Sequence, residues 1–286
     1  MTFKDEKSSE ISSCVCSRTI KEEFRLRNLT LKHNRAKSFV TSECGPRLFY
    51  PVWTGLWALY HLLNLLLMAY YEKQWPNPQA WPVYLTNLGY ALLGLFSISD
   101  CVVTVYVHVK RPDILSGTTC ESPWYVQFVW CLYNLNNVVS LTVSLSYYTL
   151  LSVGLDPPSI ITHMINSLFT ISNILVCAKP TRLLHLYQPY LFSTAYIVLT
   201  LIYHAAGGSA IYPVLDWDKI SVALPTSLVV AFLLGAIVHL FVFVLFKIRI
   251  LVHNRLCNEK KIDIIGIPID ETTDIEKCSV DTTCKY

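Results

Sequence analysis

The chain has 286 residues, 53% of them hydrophobic and only 15% charged, with a net charge of +3. Water-soluble domains usually carry about 25% charged residues, so the bulk of this sequence is built for a solvent other than water. So small a net charge gives no footing for nucleic-acid binding.

The charge is unevenly placed. Residues 1–50 hold ten of the 23 Lys and Arg, and 251–286 are polar again. The organisation expected is a basic cytosolic N-terminal tail over 1–50, a transmembrane domain over 51–250 and a cytosolic, disordered C-terminal tail over 251–286. Lys32, Arg35, Lys37 and Arg47 read as an anchor to anionic lipid. Some fifty residues rich in charge precede any apolar stretch, so no cleavable signal is expected. The ten Cys are scattered and predict no disulfide framework. Cys14 and Cys16 read as reduced thiols, with S-acylation the alternative; Cys101, Cys131 and Cys177 sit in apolar runs as small hydrophobes.

About 20 apolar residues cross a hydrocarbon core as a helix. In chain order six stretches qualify: Val52–Tyr71, Pro82–Val107, Trp124–Val153, Ile160–Cys177, Pro189–Ala206 and Val222–Lys247. Trp53, Trp75, Trp81, Trp124, Tyr190 and Trp217 flank their ends as an interfacial belt would, and Pro157, Pro158, Pro180, Pro189 and Pro213 mark breaks. The fourth stretch is the shortest and the most polar, with Thr162, His163, Asn166 and Asn173. The fold class expected is all-α, a polytopic bundle of six transmembrane helices with both termini cytosolic. Lys and Arg fix the orientation. With the N-terminus inside, the inner side holds Lys32, Arg35, Lys37, Arg47, Lys110, Arg111, Lys179, Arg182, Lys247, Arg249, Arg255, Lys260 and Lys261; the outer loops hold only Lys73 and Lys219. The sequon at Asn28 then lies in the cytosol and stays unglycosylated.

Polar groups in hydrocarbon are costly unless paired or facing a cavity, so each is a candidate site. Thr86 lies about five residues, roughly 7 Å, into the second span, and His163 roughly 6 Å into the fourth, both from the outer side. Asn166 follows one turn along the His163 face, and Tyr203 and His204 close the fifth span on the same side. A Thr hydroxyl needs a base to become a nucleophile, and neutral imidazole is the usual one. The candidate catalytic pair is therefore Thr86 and His163, with Asn166, Tyr203 and His204 lining a substrate pocket. The plainer alternative has Thr86 bonded to its own helix and His163 to a neighbouring one. Asn134, Asn136, Asn137, Ser140, Thr142 and Ser144 form a polar stripe, read as interhelical glue or a cavity lining. Asp100 is expected to pair with Lys110 or Arg111 or to reach the interface, and His61 with Asn64. No HExxH, P-loop, GxSxG or GxGxxG pattern occurs; no cofactor and no metal are expected.

Six elements occur in order: Trp81-Pro82-Val83-Tyr84-Leu85-Thr86-Asn87-Leu88-Gly89-Tyr90, Trp130-Cys131-Leu132-Tyr133-Asn134, His163-Met164-Ile165-Asn166-Ser167, Pro180-Thr181-Arg182-Leu183-Leu184-His185, Tyr203-His204-Ala205-Ala206-Gly207-Gly208 and Ile211-Tyr212-Pro213-Val214-Leu215-Asp216-Trp217. Together they resemble the rolling stone family of multi-pass membrane proteins, from Pro46 to Ile250 and without the tails. The resemblance implies a role in cell–cell fusion, as in myoblast fusion, or adhesion, with other membrane proteins as partners. More distantly the chain resembles the androgen-induced intramembrane threonine hydrolases, which cleave fatty acid esters of hydroxy fatty acids. That likeness implies a lipid ester substrate, with Thr86 as nucleophile and His163 as base; His204 and Tyr212-Pro213-Val214-Leu215 match a further shared element. The chain departs from those hydrolases where Asn166 and Asn173 stand near a second His and a carboxylate of theirs. Either reading places the protein among membrane lipids, in the plasma membrane or the endoplasmic reticulum.

Overall fold

The computed structural model describes residues 21–72, 78–119, 121–151 and 159–265, and the regular structure among them is all helical. The expectations placed on Cys14, Cys16, Lys73, Trp75, Val153, Pro157 and Pro158 lie outside the described residues. Helix α1 (Phe49–Glu72) is followed by a 3-10 turn (Pro78–Val83), α2 (Leu85–Lys110) and the short α3 (Pro112–Ser116). Next comes α4 (Trp124–Ser146), prolonged by a π-helical turn (Tyr147–Leu151). A second π turn (Ile160–Ile165) runs into α5 (Asn166–Val176), and α6 (Tyr187–Ala205) follows. Finally α7 (Ile220–Leu228) joins α8 (Gly235–Ile265) through a third π turn (Val229–Leu234).

Among the described residues, four stretches are long and apolar enough to cross a membrane: Phe49–Tyr70, Leu85–Lys110, Trp124–Leu151 and Trp217–Arg255. The other two expected spans are helical but do not reach that length and apolarity. Ile160–Val176 is shorter, and α6 carries Gln188, Ser193, Thr194 and Thr200 among its apolar residues. The second helix begins at Leu85 rather than at Pro82, because Pro82 is taken up in the preceding 3-10 turn.

Burial explains the arrangement. Of the apolar window of α4, 72% is buried inside the bundle, against 17% for α1, so α4 is the central post and α1 an outer one. Exposed Leu56, Leu62, Leu63 and Leu66 on α1 are what a lipid-facing surface presents. Helices α1 and α2 approach closely at Gly94, where an added Cβ would clash with the Leu65 side chain. Interhelical hydrogen bonds come from the polar stripe of α4. Asn134 donates to His185 Nδ1 (2.8 Å) and Gln188 (3.1 Å), Ser140 meets Thr170 (3.3 Å), and Ser144 donates to the His163 carbonyl (3.0 Å). That part of the stripe is glue.

One end of the bundle is held by charge. Lys179, with no exposed surface, donates to both carboxylate oxygens of Asp100 (2.8 and 2.9 Å) and to Tyr50, whose hydroxyl also donates to Asp100 (2.8 Å). The ammonium lies 4.7 Å from the Tyr50 ring centroid. Asp100 therefore pairs with neither Lys110 nor Arg111; Arg111 is engaged by Asp113 at 2.7 Å. Similarly, Asn64 donates to the Tyr60 carbonyl (2.9 Å), while His61 faces the Tyr90 hydroxyl (3.4 Å), so these two do not pair with each other.

The described part of the stretch read as a solvated N-terminal tail folds back on this end. Ala36, Phe39 and Val40 are buried, with Phe39 edge-on to Trp130 at 4.9 Å. Arg182 donates to the carbonyls of Thr30 and Lys32 (2.9 and 3.1 Å). Backbone bonds Glu43 N–H to Val176 and Ala178 N–H to Thr41 flank an isolated bridge between Ser42 and Cys177. Lys247 pairs with Glu23 (3.0 Å) and Arg249 with Glu43 (3.2 Å). The last helix continues past residue 250 to Ile265. Lys32, Arg35, Lys37 and Arg47 remain exposed on the folded strap.

Candidate functional site: a hydroxyl-studded apolar cavity

Thr86 sits in the first turn of α2, where helix N–H groups have no intrahelical acceptor. Its N–H donates to the Tyr212 hydroxyl (3.4 Å) from the loop before α7. Burial pushes the Tyr212 phenol up, and the Thr86 side chain and N–H pull it part of the way back. Tyr196 completes this entrance by donating to the Val83 carbonyl (3.0 Å), while Tyr84 packs edge-on against Tyr212.

Beneath Thr86 lies a cavity of about 120 Å³, walled by α4, α6 and the α7–α8 junction. One water needs roughly 10–15 Å³ by this measure, so the space takes far more than a single solvent molecule. Its walls are Val138, Val139, Val143, Phe192, Ile197 and Ala231 with similar neighbours, interrupted by the hydroxyl-bearing residues Thr86, Thr142, Ser146, Tyr147, Tyr212 and Ser227. Among the described residues, no Asp, Glu, Lys, Arg or His lines it. Two of the three π turns contribute wall residues, Tyr147–Leu151 through Tyr147, Leu150 and Leu151, and Val229–Leu234 through Val230 and Ala231.

Of the five residues singled out by sequence, Thr86 alone lines the cavity. His163 is buried on the π turn before α5, its ring stacked on Tyr147 at 3.8 Å between centroids and 16° between planes. Tyr147 is a wall residue and His163 is not, so a phenol ring covers the imidazole on that side. Asn166 donates to the Thr162 carbonyl of its own helix. Tyr203 and His204 serve the end of α6. Gly207 takes φ +85°, its N–H donates to His204 (2.9 Å) and that of Gly208 to Tyr203 (3.0 Å), which caps the helix with a left-handed glycine. The Tyr203 ring lies over Gly208, and His204 faces the exposed Asp218 carboxylate at 3.6 Å. Depth placed these groups level; of the five, only Thr86 is a wall residue of the cavity.

Sequence reasoning read Thr142 and Ser144 alike. Ser144 is glue, whereas Thr142 and Ser146 line the cavity, and their hydroxyls are buried with no hydrogen-bond partner among the described residues. The signal available was their i, i+4 spacing, which puts Thr142 and Ser146 on one helix face that Ser144 does not share. Among the described residues no three His, Cys, Asp or Glu side chains gather to hold a metal.

A family model described as protein rolling stone matches residues 12–262. The chain belongs to the rolling stone family. The rolling stone protein of Drosophila melanogaster is 27% identical over 255 residues, covering 81% of this chain and 90% of the fly protein. No solved structure matches. The family match begins well before Pro46 and ends beyond Ile250, wider than the resemblance read from motifs. In this rolling stone member the added N-terminal stretch includes the strap that packs against Trp130.

Proposed function

We propose that this is a six-span membrane protein, both termini on the cytosolic side, that acts in cell–cell fusion or adhesion without covalent catalysis. Family membership supports the role, through the association with fusion that the motif resemblance implies. The absence of His163 from the described wall that Thr86 lines supports a reading without catalysis. A hydroxyl becomes a nucleophile only when a base reaches its proton, directly or through one water, and here the imidazole is behind Tyr147 while Thr86 faces the cavity. The even number of spans is supported by contacts between residues before the first span and residues late in the last. These are Glu23 with Lys247, Glu43 with Arg249, and Cys44 with His253 at 3.1 Å. The excess of Lys and Arg at this end supports a cytosolic placement for it. A cell-mixing assay tests the role: substitutions in the outer loop around Tyr212 and Trp217 reduce fusion, while epitope tags at both termini become accessible only after permeabilisation.

A second reading, an intramembrane lipid ester hydrolase, draws on one observation, the position of Thr86 on the cavity wall. Fluorophosphonate labelling separates the two. The reading preferred here expects wild type and Thr86→Ala to label equally; labelling that disappears with Thr86 selects the hydrolase.

A further inference from the structure

The strap that folds over the charged end of the bundle treats the two signs of charge differently. Residues 21–48 hold seven Lys and Arg against three Glu. All three carboxylates are taken up in ion pairs: Glu22 with Arg25 (3.3 Å), Glu23 with Lys247 (3.0 Å) and Glu43 with Arg249 (3.2 Å). Lys21, Arg27, Lys32, Arg35, Lys37 and Arg47 are exposed and enter no ion pair among the described residues. Asp100 and Asp113 at the same end are held by Lys179 and Arg111, which leaves the exposed Glu121 as the nearby described carboxylate outside an ion pair. Like charges gathered on one face repel and work against the compact state, so this face lacks a counter-charge that the described residues do not supply. A second feature of the strap is apolar. Phe24, Leu26 and Leu29 are exposed, Leu26 by 79%, and they alternate with Arg25 and Arg27 along a 3-10 turn (Leu26–Leu29). The turn is tied to membrane helices on both sides. Glu23 pairs with Lys247 of α8, within one turn of the exposed Val244 and Ile248. The Leu29 carbonyl accepts from the Tyr187 hydroxyl (3.3 Å) at the start of α6, one turn before the exposed Leu191. The exposed apolar side chains of the strap thus stand at the edge of helix surfaces that themselves present bare apolar residues. Apolar and basic residues interleaved at that level are the composition of a segment lying in a headgroup layer. A soluble polyanion would answer the cations and leave Phe24 and Leu26 in water; an acidic bilayer surface answers both.

We propose that the strap docks onto acidic phospholipid in the adjoining leaflet, with Phe24, Leu26 and Leu29 in the headgroup layer and Arg27, Lys32, Arg35 and Lys37 on its anionic groups. This extends the lipid anchor expected from the basic residues alone by an apolar wedge and by a fold that turns the carboxylates away from it. The inference rests on the membrane topology proposed above, which the terminal tags read separately, and is independent of the fusion role. The test uses the full chain in phosphatidylcholine nanodiscs, with and without phosphatidylserine, each lipid in turn carrying a photoactivatable group near its headgroup. The expected result is cross-linking to residues 21–48 roughly fivefold or more stronger for phosphatidylserine than for phosphatidylcholine, with the preference shrinking as salt is raised. The exposed triple variant Lys32→Gln, Arg35→Gln and Lys37→Gln should bring phosphatidylserine labelling of the strap down to the phosphatidylcholine level. Leu26→Ser should lower labelling by both lipids and keep the preference between them, a split that loss of the folded strap would not produce. Inorganic phosphate added at constant ionic strength should leave the labelling unchanged. Equal labelling by the two lipids would overturn the proposal, as would a triple variant that keeps the preference. Abolition by inorganic phosphate would mean a site for a free anion, and a strap labelled by neither lipid would point to an acidic protein; either result rejects the bilayer as occupant.

Discussion

The two halves of the bundle solve the problem of polar groups in an apolar medium in opposite ways. Asp100 and Thr86 sit on the same helix, about 21 Å apart along its axis. Around Asp100 the ionised groups carry partners: the carboxylate has Lys179 and Tyr50, and Arg249 has Glu43 and the carbonyls of Ile174 and Lys179. Around Thr86 apolar residues border an open space, the Thr142 and Ser146 hydroxyls are buried without a partner among the described residues, and helical turns slip from α to π geometry. The paired end behaves as a clamp, where removing one partner strands a charge. The hollow end tolerates loss of the Thr142 or Ser146 hydroxyl, because neither has a partner among the described residues.

The largest expected effect lies in the clamp. Lys179→Met leaves Asp100 buried without its cation and should destabilise the protein by about 3–5 kcal/mol; adding Asp100→Leu should restore a large part of it. Thermal unfolding in detergent reads both. A Lys179→Met protein as stable as wild type would dissolve the contrast between the two ends.

The strap that covers the clamp should respond to acid. Burial, with Arg182 and Arg35 nearby, lowers His33 to about 4, and burial with Arg182 and His239 lowers His185 to about 4. In the unfolded chain both titrate near 6.5. Between those values the unfolded state binds more protons, so stability is present above pH 6.5 and is lost as pH falls toward 4. At pH 5 each histidine should cost about 2 kcal/mol relative to neutral pH. Limited proteolysis of the strap between pH 7.5 and 5 measures this, with cleavage expected to rise as pH falls. Unchanged cleavage over that range would detach the strap from these histidines.

The smallest effect belongs to the cavity. Thr142→Val removes an unpaired hydroxyl at nearly constant volume and should leave stability unchanged or raise it by up to about 1 kcal/mol. A loss above 1 kcal/mol would mean that Thr142 is engaged, and the two ends would then be alike.

The contrast also explains what the sequence could show. Helices longer than 20 residues with few charges declare themselves by hydropathy, and the expected Trp124–Val153 is found as Trp124–Leu151. The partner of Asp100 is 79 residues away in a loop, and nothing local distinguishes Lys179 from Lys110. The strap was hidden because Ala36, Phe39 and Val40 are dispersed among Lys and Arg at no regular period. His163 and Thr86 were matched by depth, which hydropathy gives, but their facing depends on helix rotation and on the π turns, for which spacing holds no signal. The Tyr203–Gly208 element looked chemical because it contains His204; its Gly207-Gly208 pair instead marks a helix end.

The central claim is that Thr86 borders a cavity rather than forming a catalytic pair with His163. Cell mixing by cells expressing Thr86→Ala at wild-type surface levels tests it most directly. The account predicts a fusion index indistinguishable from wild type. A fusion index reduced to that of cells lacking the protein, matched by His163→Gln and with both variants folded and at the surface, would contradict it.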